Sequence, residues 1–348
     1  MIVYWALLLT TVFFALHPVK VEARLRSLMF WLTGIVLALI IGLRHKVGGD
    51  WDRYISIYSF HKGTELNFSE FISGDYLYEL IHWFSLNYLN GIYSTNLICA
   101  IIFVSGLIRF CRKMPLPWVS LFVSIQFLVV VVSMGYSRQS AAVGLLLWGL
   151  VDLMEGKAVR FYISVLIGAL FHKTLLVMSP IGFIYNLDRF SFIRLFFFFF
   201  FFLASVFILL IDKLQKMYYY YIEIQYHDSS GALVRVFMGF VVAVIFFIYK
   251  DKFKDRFYDY NLWFMFSLVS IILLPVTYFY STFSDRLAIY FIPLQLVVLA
   301  RIPVLIESAY NRTIFVVGVV VIYTSALYVW LFFGNHSAHW TPYQNILF

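Results

Sequence analysis

The chain has 348 residues, of which 63% are hydrophobic and 13% are charged, and its mean hydropathy is +0.87. These values exclude an ordinary soluble protein and predict an all-α polytopic membrane protein. The net charge of +8 does not indicate nucleic-acid binding, because the basic residues are scattered through loops and mostly follow the orientation bias of membrane proteins.

Apolar runs that approach the roughly 20 residues needed to cross the hydrocarbon layer occur about twelve times. The predicted spans are residues 2–16, 28–43, 92–109, 116–134, 138–154, 161–171, 174–187, 195–211, 232–249, 262–280, 286–300 and 313–333. We expect one integral membrane domain over residues 1–348, with external loops at about 44–91 and 212–231. The first apolar run is expected to remain as an anchor, because its positive charges follow it rather than precede it.

Within the first external loop, residues 75–89 space their apolar and aromatic side chains at helical intervals and predict a helix at the membrane interface. Further along, His172 and Lys173 interrupt residues 161–187, which can form one span or two. Lys and Arg concentrate in cytoplasmic loops, and the two-span alternative places most basic residues after position 187 on the inside. The sequence therefore favours two spans, with both chain ends on the exterior.

Five polar sites break the hydrophobic pattern, and this topology places all of them on the external side. They are residues 44–54 (RHKVGGDWDRY), 137–139, 172–174, the single residue Arg235, and residues 284–286. Charged side chains in or beside hydrocarbon are costly and are usually retained for a task or a partner. Taken singly, each also fits a solvated loop, a snorkelling arginine or a polar turn. Together they predict one site for an anionic, lipid-borne ligand.

A diphosphate suits these residues, because arginine binds phosphate oxygens bidentately and helix N-termini add backbone N–H groups. The predicted diphosphate-binding residues are Arg44, Arg138, Arg235 and Arg286. No metal or redox spacing and no nucleotide-binding glycine loop is present, so no metal or other cofactor is expected. Cys99 and Cys111 lie within or at the cytoplasmic end of one predicted span, where a disulfide is not expected.

With these residues in view, the chain resembles the Wzy-type O-antigen and capsule polymerases, most closely the EpsG-like branch. The matching motifs are Arg44 with residues 47–54, Arg138-Gln139, residues 171–174 followed by Pro180, and Arg286 before Tyr290-Phe291. They extend over most of the chain. One departure is Gly48-Gly49-Asp50, where the family commonly has Gly-Thr-Asp or a similar sequence.

The resemblance implies a GT-C-like glycosyltransferase of the bacterial inner membrane, with its active site facing the periplasm. It would transfer a growing glycan from undecaprenyl diphosphate onto a new lipid-linked repeat. On this hypothesis the arginines stabilise the leaving diphosphate, and His172, Asp50 and Asp52 are the candidate proton acceptors, with His172 slightly favoured. The expected substrate-binding residues are Gly49, Tyr54, Gln139, Lys173 and Asp285.

The expected partners are the undecaprenyl-diphosphate-linked glycan donor and acceptor, membrane lipids and a chain-length regulator, without nucleic acid. Two alternatives stay open. An O-antigen ligase would transfer the glycan to lipid A-core, although its very large periplasmic loop is not obvious here. A flippase or transporter for the lipid-linked oligosaccharide would also need a cationic cavity, but it would need one accessible from both sides.

Overall fold

The computed structural model describes residues 1–17, 22–61, 75–184 and 231–347, with the single positions 196, 200 and 203. Across these ranges the regular structure is helical, apart from an isolated bridge between Arg44 and Asn345. The predicted span 195–211 and the predicted loop 212–231 lie almost wholly outside the described residues. The all-α prediction is confirmed for the part of the chain that is described.

The α-helices are α1 (Ile2–Leu16), α2 (Ala23–Gly42), α3 (Trp51–His61), α4 (Tyr76–Tyr88), α5 (Ile92–Arg112), α6 (Pro117–Ser124), α7 (Ser137–Met154), α8 (Ala158–Phe171), α9 (Ser179–Ile184), α10 (Ala232–Ile248), α11 (Lys250–Arg256), α12 (Tyr260–Phe279), α13 (Ser281–Phe291), α14 (Pro293–Arg301) and α15 (Ala309–Phe333). A π-helix, Ile125–Ser133, continues α6, and short 3₁₀ segments cover Lys173–Met178, Ile302–Leu305 and Ser337–His339. Helix α4 confirms the helix predicted in the first external loop.

Four helices are long and apolar enough to cross a membrane: α2 over Arg24–Gly42, α5, α12 and α15. Two bent pairs raise the number to six if each pair is one span. Helices α10 and α11 meet at 73°, and α13 meets the segment Pro293–Leu305 at 48°. The chain is thus a membrane protein with four to six candidate spans among the described residues. The larger predicted number of about twelve stays a prediction.

Several predicted spans are shorter or more bent than their apolar runs indicate. The run 116–134 divides into α6 and the π-helix, and the run 286–300 bends where Pro293 begins α14. Proline at the first helical position has no N–H to lose, which explains why a new helix begins there. The predicted break at His172 is confirmed: α8 ends at Phe171, and His172 is extended, with φ −155° and ψ 107°.

The core is built on α5, which packs between α2 and α7, while α7 packs in turn on α8. Helices α5 and α7 approach each other closely at Gly106 and Gly144, where no side chain separates the two backbones. A second group is formed by α10 with α12 and α13, and α14 joins it to α6. Helix α4 lies across α5 and α8 near the start of α7.

The two ends of the bundle carry different polar groups. Helices α5 and α7 begin near Asn96 and Ser137, and both end near a partly buried ion pair, Arg109–Asp152, with an N–O distance of 2.9 Å. Nearby, Arg301 donates to both oxygens of Asp259 at 2.6 and 2.8 Å. The five predicted polar sites all lie at the opposite end, which we call the site end.

Candidate functional site

Three separate parts of the chain meet at Asp75, the residue before α4. Arg138 Nη1 lies 3.4 Å from Asp75 Oδ2, and His172 Nδ1 lies 3.5 Å from the same oxygen. The backbone N–H of Lys173 donates to the other oxygen, Oδ1, at 3.3 Å. Arg138 and His172 are 34 residues apart in sequence, and one carboxylate brings them together.

These groups are partly accessible to solvent. The Asp75, Arg138 and His172 side chains are 13%, 18% and 23% exposed. Burial alone would raise the pKa of Asp75. Hydrogen bonding and charge from His172, followed by the charge of Arg138 and the Lys173 N–H, outweigh burial and lower this pKa below its ordinary value. Asp75 is therefore a stable anion beside two groups that the sequence predicts to act on substrate.

Aromatic rings fix the position of Arg138 from the other side. Its guanidinium lies 5.7 Å from the centroid of Tyr54 and 5.4 Å from that of Tyr78. Both rings are buried, so they offer polarisable faces to the cation in a low-dielectric environment. Tyr54 Oη donates to Asp50 Oδ2 at 3.4 Å. The residues 44–54 are thereby connected to Arg138.

Arg44 is 1% exposed, and neutral oxygens surround its guanidinium. Its nitrogens donate to the carbonyls of Val47 and Ile41 at 3.1 and 2.6 Å. They also donate to Ser137 Oγ at 2.8 Å and to Asn96 Oδ1 at 3.4 Å. Burial lowers the pKa of Arg44 from its ordinary value, but a guanidinium keeps its charge in proteins. Arg44 is thus a fixed cation bound to Ser137, the residue that precedes Arg138, and its direct contact with diphosphate stays a prediction.

Arg235 and Asp285 form a bidentate ion pair. Nε and Nη2 of Arg235 each lie 2.6 Å from an oxygen of Asp285, and the two side chains are 20% and 18% exposed. The guanidinium also lies 5.4 Å from the Phe127 ring, which belongs to the π-helix. The sequence predicts Arg235 for diphosphate and Asp285 for substrate. In this state the two charges neutralise each other. An anionic ligand would therefore have to bind Arg235 together with Asp285, or displace the Asp285 carboxylate from Arg235.

Tyr290 connects α13 to the Asp75 cluster. Its hydroxyl lies 2.7 Å from Thr174 Oγ1, and the Gln139 side chain lies close to it. The charges of Asp75 and Arg286 both act on this hydroxyl. Thr174, Gln139 and Arg286 belong to three of the five polar sites, and their effect on one hydroxyl indicates that these three sites lie around one centre.

Tyr136 shows the same convergence from the turn before α7. Burial is the main cause that raises the pKa of its hydroxyl, and the charge of Asp50 raises it further. The charges of Arg235, Asp285 and Arg286 act on the same hydroxyl. The two halves of the site therefore face each other across Tyr136.

A segment near residue 340 closes the base of the site. Trp340 is 1% exposed, and its Nε1 donates to the carbonyl of Val130 in the π-helix at 2.8 Å. The ring packs against Gly135, where an added Cβ would lie 2.6 Å from it, and it also lies beside Gly49. Gly48 has φ +109° and donates to the carbonyl of His339 at 2.9 Å. Gly48 and Gly135 allow this close approach, because a Cβ at Gly48 would collide with backbone and one at Gly135 with the Trp340 ring.

The predicted residues differ in how directly they join this centre. Arg138, His172, Tyr54 and the Lys173 backbone contact it as described above, and Gln139 is buried close to Tyr290. Asp52 is exposed on the first turn of α3, and Arg286 is exposed on α13. The structure brings Asp50 close to Tyr54 and Tyr136, so Asp50 is the more central of the two candidate acids.

Sequence reasoning missed Asp75, Asn96 and Trp340. The sequence places Asp75 within the predicted interfacial helix, residues 75–89. In the structure Asp75 precedes α4, and its side chain contacts Arg138 and His172. Asn96 gave a usable signal, because a buried amide in an apolar span is costly without a partner. The sequence around Trp340 does not indicate its role, because the neighbouring residues do not show which distant glycines its ring contacts. Among the described residues, no group of three or more His, Cys, Asp or Glu side chains is arranged to hold a metal ion.

The assembled centre combines fixed cations, a carboxylate and an imidazole at one end of a helical bundle. Such a set can bind an anion, stabilise negative charge that develops during a reaction, and exchange a proton near neutral pH. The EpsG family model matches residues 27–345, which include all five polar sites. No curated protein and no solved structure matches the chain.

Proposed function

This chain belongs to the EpsG family, and we propose that it polymerises oligosaccharide repeats carried on undecaprenyl diphosphate into O-antigen or capsular polysaccharide. The family supports a membrane protein of the polysaccharide-polymerase type. Our proposal adds metal-independent glycosyl transfer, the lipid diphosphate carrier and a site facing the periplasm from the bacterial inner membrane. It also includes a GT-C-like arrangement of about twelve spans.

The observation that carries this proposal is the convergence of Arg138, His172, Asp75 and the Arg235–Asp285 pair at one end of the bundle. Each comes from a different helix or turn. A polar centre of this kind within an apolar bundle is expensive to assemble, which favours a functional role over a structural one. Cations with a proton-accepting group suit the transfer of a sugar away from a diphosphate.

In the proposed reaction, a hydroxyl on the non-reducing sugar of the acceptor attacks C1 of the donor glycan. A new C1–O bond forms, the bond between C1 and the phosphate oxygen breaks, and undecaprenyl diphosphate departs with the electron pair. The hydroxyl proton passes to the imidazole of His172. Negative charge grows on the leaving diphosphate, where Arg138 is the best-placed cation, with Arg235 and Arg286 across Tyr136.

The arginine contacts at the two ends of the bundle differ, and this difference favours glycosyl transfer over lipid transport. At the end opposite the site, Arg109 and Arg301 are each held by a carboxylate at 2.6 to 3.1 Å. A transporter would have to offer cations to the lipid headgroup from both ends during its cycle. Arg138, by contrast, lies 3.4 Å from its carboxylate partner Asp75 and otherwise faces the Tyr54 and Tyr78 rings, and 18% of its side chain is exposed.

The test uses purified protein in liposomes with defined undecaprenyl-diphosphate repeat units and no nucleotide. We expect a ladder of longer glycans, and Arg138→Gln should reduce its rate roughly 100-fold or more. Arg160→Gln is the matched control, because Arg160 is exposed near the start of α8 at the opposite end, and its rate should equal the wild-type rate.

Three results would contradict the proposal. Lipid movement across the bilayer without a new glycosidic bond would indicate a flippase. Transfer only to a lipid A-core acceptor would indicate a ligase. Equal rates for Arg138→Gln and Arg160→Gln would remove Arg138 from the site.

A further inference from the structure

Asp75 has no role yet in the steps of the proposed reaction. It is the shared partner of Arg138 and His172, yet it lies outside every motif that carries the family resemblance. We propose, on the basis of the proposed function, that Asp75 is a positioning residue. It orients the His172 imidazole so that Nε2 can take the proton of the acceptor hydroxyl, and it holds Arg138 beside the imidazole.

The first step is the orientation of the imidazole. His172 Nδ1 lies 3.5 Å from Asp75 Oδ2, and a carboxylate accepts but does not donate when ionised. The nitrogen that faces it must therefore carry the hydrogen. In a neutral imidazole this leaves Nε2 with the lone pair, so Nε2 is the atom able to accept a proton.

The second step is the anchoring of the carboxylate itself. Oδ1 accepts the Lys173 backbone N–H at 3.3 Å, so Asp75 binds both the side chain of His172 and the backbone directly after it. His172 has extended backbone geometry between α8 and the following 3₁₀ segment. Two contacts to adjacent residues prevent the imidazole and the turn from moving independently.

The third step is charge. When Nε2 takes a proton, the imidazole becomes a cation, and a carboxylate at Nδ1 stabilises that cation. The same oxygen faces Arg138 Nη1 at 3.4 Å. Movement of Arg138 toward a developing diphosphate charge would free Asp75 to interact more fully with His172. One carboxylate thus couples the cation at the leaving group to the proton acceptor.

Other ionisable groups surround the pair from each neighbouring element. They are Tyr54 on α3, Tyr78 and Glu79 on α4, Arg138 on α7, Lys173 in the turn after α8, and Tyr290 and Arg286 on α13. The Asp75 carboxylate lies within hydrogen-bonding distance of Nδ1 of His172. Removal of its charge should therefore affect proton transfer more than removal of the Glu79 charge on the same helix.

The experiment compares Asp75→Asn, Asp75→Glu and the control Glu79→Gln in the liposome assay, each also in a His172→Gln background. We expect Asp75→Asn to lower kcat roughly 100-fold with less than about a threefold change in KM, and to move the acid limb of the pH–kcat profile to lower pH. Asp75→Glu should recover part of the rate. In the His172→Gln background, Asp75→Asn should cost less than about threefold.

A purely structural role would give a different result. Equal losses with and without His172, or an acid limb that does not move, would overturn the positioning role even though the wild-type protein makes a ladder. Failure of the wild-type protein to make any ladder would instead refute the proposed function.

A second readout tests Asp75 independently of activity. In ¹⁵N-histidine spectra, the His172 signal, identified by its loss in His172→Gln, should show hydrogen at Nδ1 in wild-type protein and a mixed tautomer in Asp75→Asn. The same tautomer in both proteins would overturn the inference.

Discussion

The close packing of α5 on α7 gives the sharpest stability prediction. A Cβ added to Gly144 would lie 2.4 Å from Phe103 Cα, 2.7 Å from the Ile102 carbonyl oxygen and 2.9 Å from Phe103 N. All three atoms belong to the backbone, so no change of side-chain rotamer can relieve the collision. Helices α5 and α7 would have to separate by about 1 Å at this point to restore ordinary contact.

The energetic consequence follows from that separation. A radial gap of about 0.5–1 Å forfeits a quarter to a half of each dispersion contact, and overpacking a close interface typically costs about 1–3 kcal/mol. The same two helices carry Asn96 and Ser137, whose oxygens hold Arg44 at 3.4 and 2.8 Å. We therefore expect Gly144→Ala to lower the unfolding free energy by about 2 kcal/mol or more and to reduce glycan polymerisation.

The assay is reversible unfolding in mixed detergent micelles, followed by tryptophan fluorescence. Gly318→Ala is the control, because no atom outside the adjoining residues and backbone of its own helix lies within 4 Å of a Cβ added there. It should be neutral or more stable by up to about 1 kcal/mol, since alanine favours a helix over glycine. Equal unfolding free energies for the two variants would refute the claim that backbone contact at Gly144 limits the spacing of α5 and α7.

Three further predictions test other parts of the molecule. Arg301→Met should cost about 3–5 kcal/mol in unfolding free energy, because it leaves the Asp259 carboxylate buried without its partner, and the added change Asp259→Leu should recover most of the loss. Trp340→Ala should cost about 3–5 kcal/mol in the same unfolding assay and should lower polymerisation, whereas the exposed Trp31→Ala should cost less. Because the pKa of Asp75 is lowered in the folded protein, its contribution to stability is present above about pH 4 and is lost as the pH falls through the folded value. Unfolding free energies measured from pH 6 to pH 3 should therefore decline less steeply in Asp75→Asn than in wild type, and identical slopes would contradict this.

Hydropathy predicted the class of this protein and the position of most helices, because apolar runs must be helical to satisfy their backbone in lipid. It does not report where a run bends or changes its helix type. Pro293 starts a new helix inside the run 286–300, and the run 116–134 changes to a π-helix at Ile125. Both changes depend on packing against neighbours, which a single apolar run does not report.

The sequence predicts that the polar sites share one end of the bundle, because each of them lies at the external end of a predicted span. It does not predict their partners. The Arg235–Asp285 pair joins residues 50 positions apart, and the Asp75–His172 contact joins residues 97 positions apart. Pairings of this kind depend on which helices become neighbours, and charge spacing along one chain carries little information about that.

The oxygens around Arg44 also limit how this protein can move. They come from α2 and its following turn, from α5 and from α7, so separation of these helices would expose a bare cation to hydrocarbon at a cost of several kcal/mol. These three helices should therefore move as one rigid unit during the proposed reaction. Entry of a bulky lipid and departure of a longer glycan would then depend on displacement of α10 and α13, whose Arg235 and Asp285 can separate whenever an incoming phosphate supplies the missing negative charge.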